Sequence, residues 1–272
     1  MKDTNELRIP VMKDMAASGK MPEYLLWIGC AGSFDDRYKK VIASLIRILN
    51  LAEINFAVLG PEESCTGDPA RRAGNEFLFQ MQALSNIQLL NNYKVKKILT
   101  SCPHCFHTFK NEYPALGGRY EVIHHTQFLD SLIDSGFFEN ELKEIQKAGS
   151  ITYHDSCYLG RSNAIYDEPR NIIRKLKSDL IEMERHKKDG LCCGAGGAQM
   201  FKEAEKGNKE VNIERSEEAL GTGAGTIATG CPFCLTMMTD GIKELDQEGR
   251  TEVLDVVEIL ERSIQKKKNP ED

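Results

Sequence analysis

Short apolar runs alternate with longer segments of helical periodicity along this chain. Tyr24 to Ile28, Asn55 to Leu59 and Lys97 to Thr100 are apolar runs of strand length. Between the first two, the segment from Asp36 to Leu51 repeats its apolar residues at the spacing of one helix face. Strands that alternate with helices are typical of parallel sheets, so the pattern predicts an α/β fold.

The remaining segments continue the same alternation. Asp68-Pro69 has the form of an N-cap followed by a proline, and it predicts a helix that runs to Asn91. A further helix is predicted over Cys102 to Tyr113, a strand over Tyr120 to Ile123 and a closing helix over Thr126 to Asp134. In the second part of the chain, strands are predicted near 151–154, 180–183, 226–229 and 252–254.

The nine cysteines reveal an internal duplication. Cys30 and Cys65 recur 127 residues later as Cys157 and Cys192, and the C-P-x-C tetrapeptide at Cys102 recurs 129 residues later. The adjacent Cys193 has Thr66 as its counterpart in the first half. Several matches at nearly the same offset indicate a tandem repeat. We therefore predict two tandem pseudo-symmetric Rossmann-like halves with short parallel sheets and cysteines at the carboxyl ends of the strands.

The repeat also predicts the domain boundaries. Residues 1–21 form an N-terminal arm, residues 22–136 the first cysteine-rich half and residues 150–265 the second. The charged segment from Gly136 to Gly149 is the expected linker. We expect the polar arm to dock on a partner, and its deletion then weakens partner binding.

Composition and charge exclude several classes of function. The 272-residue chain carries a formal net charge of −6, whereas a nucleic-acid-binding protein needs a basic face. Its apolar runs are too short to span a bilayer and its first twenty residues lack a signal core, so we expect a cytoplasmic protein, membrane-associated at most through a partner. No Gly-x-Gly-x-x-Gly follows the first strand, which predicts that neither NAD nor FAD is bound.

Cysteines that follow the strands of a parallel sheet converge at one edge of that sheet. Five thiols in the second half suit an iron–sulfur cluster better than zinc, because zinc takes four ligands. The four thiols of the first half suffice for a [4Fe–4S] cluster, which is favoured, and they also suffice for a zinc ion. The predicted cofactor-binding residues are Cys157, Cys192, Cys193, Cys231 and Cys234, and the predicted metal ligands are Cys30, Cys65, Cys102 and Cys105.

His154 is the one candidate catalytic residue. It lies three residues before Cys157, where an imidazole can donate a proton near the cluster or hydrogen-bond to its sulfurs. The alternative is a polar residue at the end of a strand that caps the next helix. The sequence leaves both interpretations open.

The second half carries the full motif of the CCG-domain family: Cys157, then Cys192-Cys193-Gly194, then Cys231-x-x-Cys234. The chain thus resembles the cysteine-rich domain of the B-type component of heterodisulfide reductase. That resemblance implies a noncubane [4Fe–4S] cluster in the second half. Because Thr66 replaces one cysteine, the first half cannot hold the same five-thiolate cluster, and in some relatives the degenerate motif binds zinc.

The resemblance implies an electron-transfer subunit of a redox complex, hence an oxidoreductase subunit. Its expected partner is a ferredoxin-like iron–sulfur protein or a flavoprotein. Two alternatives stay open: a catalytic thiol or disulfide reductase, which Thr66 disfavours, and a zinc-stabilised scaffold without redox activity. Counts of iron, acid-labile sulfide and zinc separate the scaffold from the other two.

Overall fold

A computed structural model describes residues 7–139, 149–203, 207–246 and 248–265 of the chain. The chain divides into two compact units, Met1–Phe128 and Leu129–Asp272. Two four-stranded sheets, both parallel throughout, form the centres of the two halves. The predicted α/β fold with two repeated halves is therefore confirmed.

The first sheet has the strand order β2-β1-β3-β4. Leu25, Leu26, Ile98 and Leu99 of its two central strands are fully buried. Such continuous apolar strands arise because helices cover both faces of a parallel sheet. The strands are β1 (Tyr24–Trp27), β2 (Phe56–Ala57), β3 (Lys97–Thr100) and β4 (Glu121–His124).

The helices of residues 7–139 follow the predicted alternation. The longest amphipathic one begins after Asp35, whose carboxylate accepts a hydrogen bond from the backbone N–H of Tyr38 at 2.6 Å. In chain order they are α1 (Met12–Ala17), α2 (Gly29–Phe34), α3 (Asp36–Leu51), α4 (Asp68–Arg72), α5 (Glu76–Asn92), α6 (Pro103–His107) and α7 (His125–Asp134).

The single helix predicted from Asp68 to Asn91 is wrong, because α4 ends at Arg72 and α5 begins at Glu76. Gly74 between them has a φ of +87°, a left-handed conformation that a helix cannot contain. Asn75 then starts the new helix by accepting a hydrogen bond from the N–H of Leu78 at 3.0 Å. A glycine followed by a capping residue thus outweighs the helical periodicity on either side.

The described part of the predicted arm packs on the first sheet. Met12 is buried within the hydrophobic core of the first unit. Its N–H donates to Val58 O at 2.8 Å, and Val58 N–H donates to Pro10 O at 2.9 Å. These bonds extend the edge of the sheet beyond β2. Docking of the arm on a partner remains a prediction.

The second sheet repeats the first, with strand order β6-β5-β7-β8. One expected strand is displaced: β6 spans Asp179–Leu180 instead of 180–183, because only these two residues pair in register with Ser150 and Ile151. The strands are β5 (Ser150–Tyr153), β6 (Asp179–Leu180), β7 (Thr226–Thr229) and β8 (Glu252–Asp255).

Helices also alternate with the strands of the second half. In chain order they are α8 (Gly160–Asn163), α9 (Asp167–Lys175), α10 (Val211–Leu220), α11 (Pro232–Leu245) and α12 (Val256–Gln265). Across the residues that the structure describes, no helix combines the length and the apolar character that crossing a bilayer requires.

Candidate metal centres

The four cysteines of the first half lie in loops and helix starts beyond the carboxyl ends of three strands. Cys30 is in α2 after β1, and Cys65 follows β2. Cys102 precedes α6 and Cys105 lies within it, after β3. A hydrogen bond to Cys65 raises the pKa of the Cys30 thiol. The nearby Cys102 raises the pKa of Cys30 further. The pKa of Cys105 is raised first by a hydrogen bond to Cys102, so the four thiols interact as one group.

Cys65 is a thiol of this group whose pKa is lowered from its ordinary value. The hydrogen bond from Cys30 lowers its pKa to about 7. The backbone N–H of Gly67 also donates to its Sγ at 3.4 Å. Gly67 has a φ of +89°, which a residue with a Cβ adopts only at a cost, so the glycine of this Cys-x-Gly segment is what turns the N–H toward the sulfur.

The five cysteines of the second half are arranged in the same way. Cys157 follows β5, and Cys192 and Cys193 lie in the long loop after β6. Cys231 and Cys234 start α11 after β7, as Cys102 and Cys105 start α6. The structure therefore brings each predicted set of ligands to one edge of its own sheet.

Direct contacts tie the second set together. The sulfurs of Cys193 and Cys234 are 3.3 Å apart. A hydrogen bond to Cys192 raises the pKa of Cys157 and correspondingly lowers the pKa of Cys192. The N–H of Gly194, whose φ is +91°, donates to Cys192 Sγ at 3.3 Å. Cys192 thus occupies the position that Cys65 has in the first half.

Thr66 stands in the place of Cys193. Its hydroxyl Oγ1 lies 3.8 Å from the sulfur of Cys105, which is the counterpart of Cys234. The side chain is buried and oriented toward the thiols. The first half therefore presents a hydroxyl donor where the second half presents a fifth thiol.

A partly buried carboxylate holds two ligand loops of the first half together. Glu63, two residues before Cys65, accepts hydrogen bonds from the N–H of Gly29 at 2.5 Å and of Ile28 at 3.1 Å. Burial raises the pKa of Glu63 to about 7. These bonds connect the loop of Cys65 to the turn that carries Cys30.

A charged network surrounds the C-P-x-C helix of the first half. Asp68 accepts from His104 Nδ1 at 2.9 Å and from Arg72 Nε at 3.0 Å. Arg72 also pairs with Glu112, and Arg71 does so at 3.1 Å. The sequence predicts Asp68 as the N-cap of its helix, and this is wrong: Gly67 is the N-cap and Asp68 is the first residue of α4. The Asp68 carboxylate instead forms an ion pair with Arg72.

A different network supports the loop of Cys157. Arg170 is fully buried and donates two hydrogen bonds to Asp155, at 2.7 and 2.8 Å. It donates two more to Glu182, at 2.7 and 2.9 Å. The second carboxylate oxygen of Asp155 also accepts from the N–H of Lys187 at 2.6 Å. Asp155 therefore connects the Cys157 loop to the loop that leads to Cys192.

His154 is buried at the end of β5, close to this set of thiols. One of its ring nitrogens and the sulfurs of Cys193 and Cys234 all lie within 4.8 Å of one another. Arg215 Nε donates to His154 Nδ1 at 3.0 Å. Burial, with a further contribution from Arg215, lowers the pKa of His154 to about 3, so the ring is neutral.

Buried donors without protein partners test whether an inorganic centre suits the second site. Within the described residues, the Ser156 hydroxyl beside Cys157, the Tyr153 hydroxyl and Arg215 Nη2 lack hydrogen-bond partners. Buried donors of this kind carry a desolvation cost until an acceptor reaches them. Several thiols in mutual contact and nearby donors fit a sulfide-rich group, whose sulfurs accept hydrogen bonds.

Sequence reasoning does not identify Arg215, Arg170 or Glu63 as parts of these sites. Arg215 and Glu63 belong to no cysteine motif, and each acts through a contact between distant segments. Asp68 has a weak signal, since it follows the Cys-x-Gly segment directly.

The comparisons with known proteins agree with the geometry. The family model described as the cysteine-rich domain (CCG) matches residues 24–110 and again 151–239. The two matches together cover more than half of the chain. The chain belongs to this family.

Three curated relatives are similar over most of this chain. The EtfAB:quinone oxidoreductase of Syntrophomonas wolfei subsp. wolfei is 47% identical, over 91% of this chain and 35% of that protein. The probable iron-sulfur-binding oxidoreductase FadF of Bacillus subtilis is 45% identical, over 95% of this chain and 36% of that protein. A component of the dihydromethanophenazine:CoB--CoM heterodisulfide reductase of Methanosarcina barkeri is 32% identical, over 97% of this chain and 64% of that protein. The chain thus spans about a third of the length of the first two and less than two thirds of the third.

Proposed function

We propose that this chain is an iron–sulfur electron-transfer module of a redox complex. It carries a noncubane-type [4Fe–4S] cluster on Cys157, Cys192, Cys193, Cys231 and Cys234. The observation that supports the proposal most is the meeting of five thiols from three separate loops, with Cys193 and Cys234 in contact at 3.3 Å. A structural zinc site uses four ligands and leaves one of these thiols without a role.

The protein's own contribution is to hold the thiols in place and to exclude water. Cys193, Cys231 and Cys234 are buried, whereas Cys157 and Cys192 are partly exposed. The cluster supplies a one-electron couple when bound. An electron can enter or leave through the partly exposed side, which favours exchange with a docked redox partner.

The first half is proposed to hold a second metal centre on Cys30, Cys65, Cys102 and Cys105. Four thiolates suit a cubane [4Fe–4S] cluster and also suit zinc. Thr66 excludes a fifth thiolate there. The metal count described below decides between the two occupants.

We propose that the partner is a flavoprotein or a ferredoxin-like protein of the same complex. The relatives' names support this: one is an EtfAB:quinone oxidoreductase, and another, from Chromohalobacter salexigens, is a probable membrane-anchored ferredoxin that is 38% identical. A cytoplasmic location, with any membrane attachment through the partner, stays a prediction.

A thiol or disulfide reductase is the second candidate function. The relative named as part of a heterodisulfide reductase favours it. Thr66 argues against a mechanism that needs two equal five-thiolate clusters. Turnover of a disulfide by the reduced protein, measured with a reduced dye as the electron donor, separates this candidate from a simple relay.

Anaerobic purification followed by metal analysis tests the proposal. We expect about four irons and about four acid-labile sulfides per cluster, or twice that number if the first half also holds a cluster. Cys193→Ser should lose the iron and sulfide of the second site, whereas the matched variant Thr66→Ser should keep wild-type counts. Iron-free protein that contains only zinc would contradict the proposal and support the scaffold alternative.

A further inference from the structure

His154 lies close to two thiols of the second set and to a buried arginine. Its backbone N–H donates to Ala228 O at 2.8 Å, which anchors it to β7. Its side chain is buried, with Nδ1 at 3.0 Å from Arg215 Nε. One of its ring nitrogens and the sulfurs of Cys193 and Cys234 all lie within 4.8 Å of one another.

Arg215 is itself fixed from several directions. It is fully buried on α10, and its Nη1 donates to Arg185 O and to Glu218 Oε2, both at 2.8 Å. Its Nη2 is buried without a partner among the described residues. An arginine held by a backbone carbonyl and a carboxylate cannot turn away from His154 without leaving these acceptors unpaired.

The hydrogen bond from Arg215 determines the tautomer of His154. A guanidinium group only donates hydrogen bonds, so Nδ1 of His154 must be the acceptor. A neutral imidazole with an acceptor at Nδ1 carries its proton on Nε2. Nε2 is therefore the ring nitrogen that is left to donate a hydrogen bond, and the sulfurs of Cys193 and Cys234 are acceptors close to this ring.

We propose that Arg215 and His154 act together as a positioning pair that raises the reduction potential of the second centre. His154 donates its Nε2–H to a sulfur of the centre, and Arg215 fixes that donor and adds a buried positive charge behind it. Hydrogen bonds to sulfur and nearby positive charge both favour the more negative, reduced state. The inference rests on the proposed function, since it needs a redox centre at this site.

The same position differs in the first half. The residue at the end of β1 that corresponds to His154 is Trp27, which is fully buried and uncharged. Its indole N–H has no partner among the described residues, and no arginine stands behind it at hydrogen-bond distance there. Among the described residues, the positioning pair is therefore found at the second site and not at the first.

Redox titration of the full chain, monitored by electron paramagnetic resonance, tests the proposal. We expect His154→Phe and Arg215→Gln each to shift the reduction equilibrium of the second centre at least tenfold toward the oxidised state, about 59 mV for one electron. His154→Gln keeps an N–H donor, so its shift from the wild-type equilibrium should be smaller than that of His154→Phe. Arg185→Gln is the matched control, because it removes a half-exposed arginine of the same network and should change the equilibrium less than twofold.

Further results decide whether the inference holds. If His154→Phe and Arg215→Gln retain iron and sulfide but stay within twofold of the wild-type equilibrium, the inference is wrong. A strong ¹⁵N coupling in protein labelled at histidine would make His154 a ligand and would also overturn it, whereas weak coupling supports a hydrogen bond. If Arg215→Gln does not fold, Arg215→Lys and His154→Phe carry the test. Wild-type protein without iron would refute the proposed function itself, which is a separate outcome.

Discussion

The two cysteine sites share a scaffold and differ in what surrounds it. Cys65 and Cys192 each accept a hydrogen bond from a glycine two residues on, and each glycine has a positive φ near 90°. Thr66 and Cys193 stand in the same place, 3.8 and 3.3 Å from the sulfur of the equivalent cysteine. The backbone geometry that positions the thiols is therefore the same in both halves, whereas one ligand position differs.

The supporting charges differ more than the backbone geometry does. The first half places Asp68 and His104 where the second half has the apolar residues Ala195 and Phe233. The second half instead places its ion pairs behind the first strand, around Asp155 and His154. In both halves a carboxylate connects the first two ligand loops, but Glu63 reaches back from the second loop and Asp155 reaches forward from the first. Equivalent geometry can thus be supported from opposite directions.

Exchange of Thr66 and Cys193 has the largest expected effect on this comparison. Thr66→Cys adds a fifth thiol to the first site, and Cys193→Thr removes it from the second, so the five-thiolate cluster should move to the first half. Iron and sulfide counts with electron paramagnetic resonance measure the exchange. Thr66→Ser is the control. Unchanged spectra in the double variant would show that the fifth thiol does not distinguish the two sites.

Removal of one arginine from the network of each half should lower the free energy of unfolding by different amounts. Arg170→Met leaves Asp155 and Glu182 without their cation in a buried site, at an expected cost of about 3–5 kcal/mol in the free energy of unfolding. Arg72→Met should cost only about 1 kcal/mol, because Arg72 is partly exposed and Asp68 keeps His104. Chemical denaturation of both variants measures the difference. Equal losses in the free energy of unfolding would mean that the burial of the arginine does not determine the cost of its removal.

The two Cys-x-Gly glycines should respond unequally to alanine. At Gly194 a Cβ meets ordinary contacts at 3.4 Å or more, so Gly194→Ala should cost only the positive-φ strain of about 1–2 kcal/mol. At Gly67 a Cβ would also approach the backbone of Phe79 at 3.2 Å and its ring at 2.8 Å. Gly67→Ala should lose about 1–3 kcal/mol more through overpacking.

Gly117→Ala supplies the reference for this pair. Gly117 has a φ of +91° and no heavy atom within 4 Å of an added Cβ, so it isolates the backbone strain. Thermal denaturation of the three variants should place Gly117→Ala and Gly194→Ala together and Gly67→Ala lower. A Gly67→Ala variant as stable as the other two would show that Phe79 moves away at no cost.

Much of this architecture follows from the sequence because its signals are local or periodic. The strand and helix alternation, the duplication and the position of each cysteine after a strand can all be read along the chain. The break between α4 and α5 escapes prediction although Gly74-Asn75 marks it, because the apolar periodicity on both sides suggests one helix.

The sequence by itself determined that this protein has two parallel α/β halves, each with cysteines at one edge of its sheet. Only the tertiary structure decided which other side chains meet those thiols: Arg215 behind His154, Glu63 across the Cys30 turn and Asp68 beside His104. The physical reason is sequence separation. Periodicity specifies how a segment folds and which face it buries, whereas a contact such as that of His154 with Arg215, 61 residues apart, depends on how all the intervening elements pack.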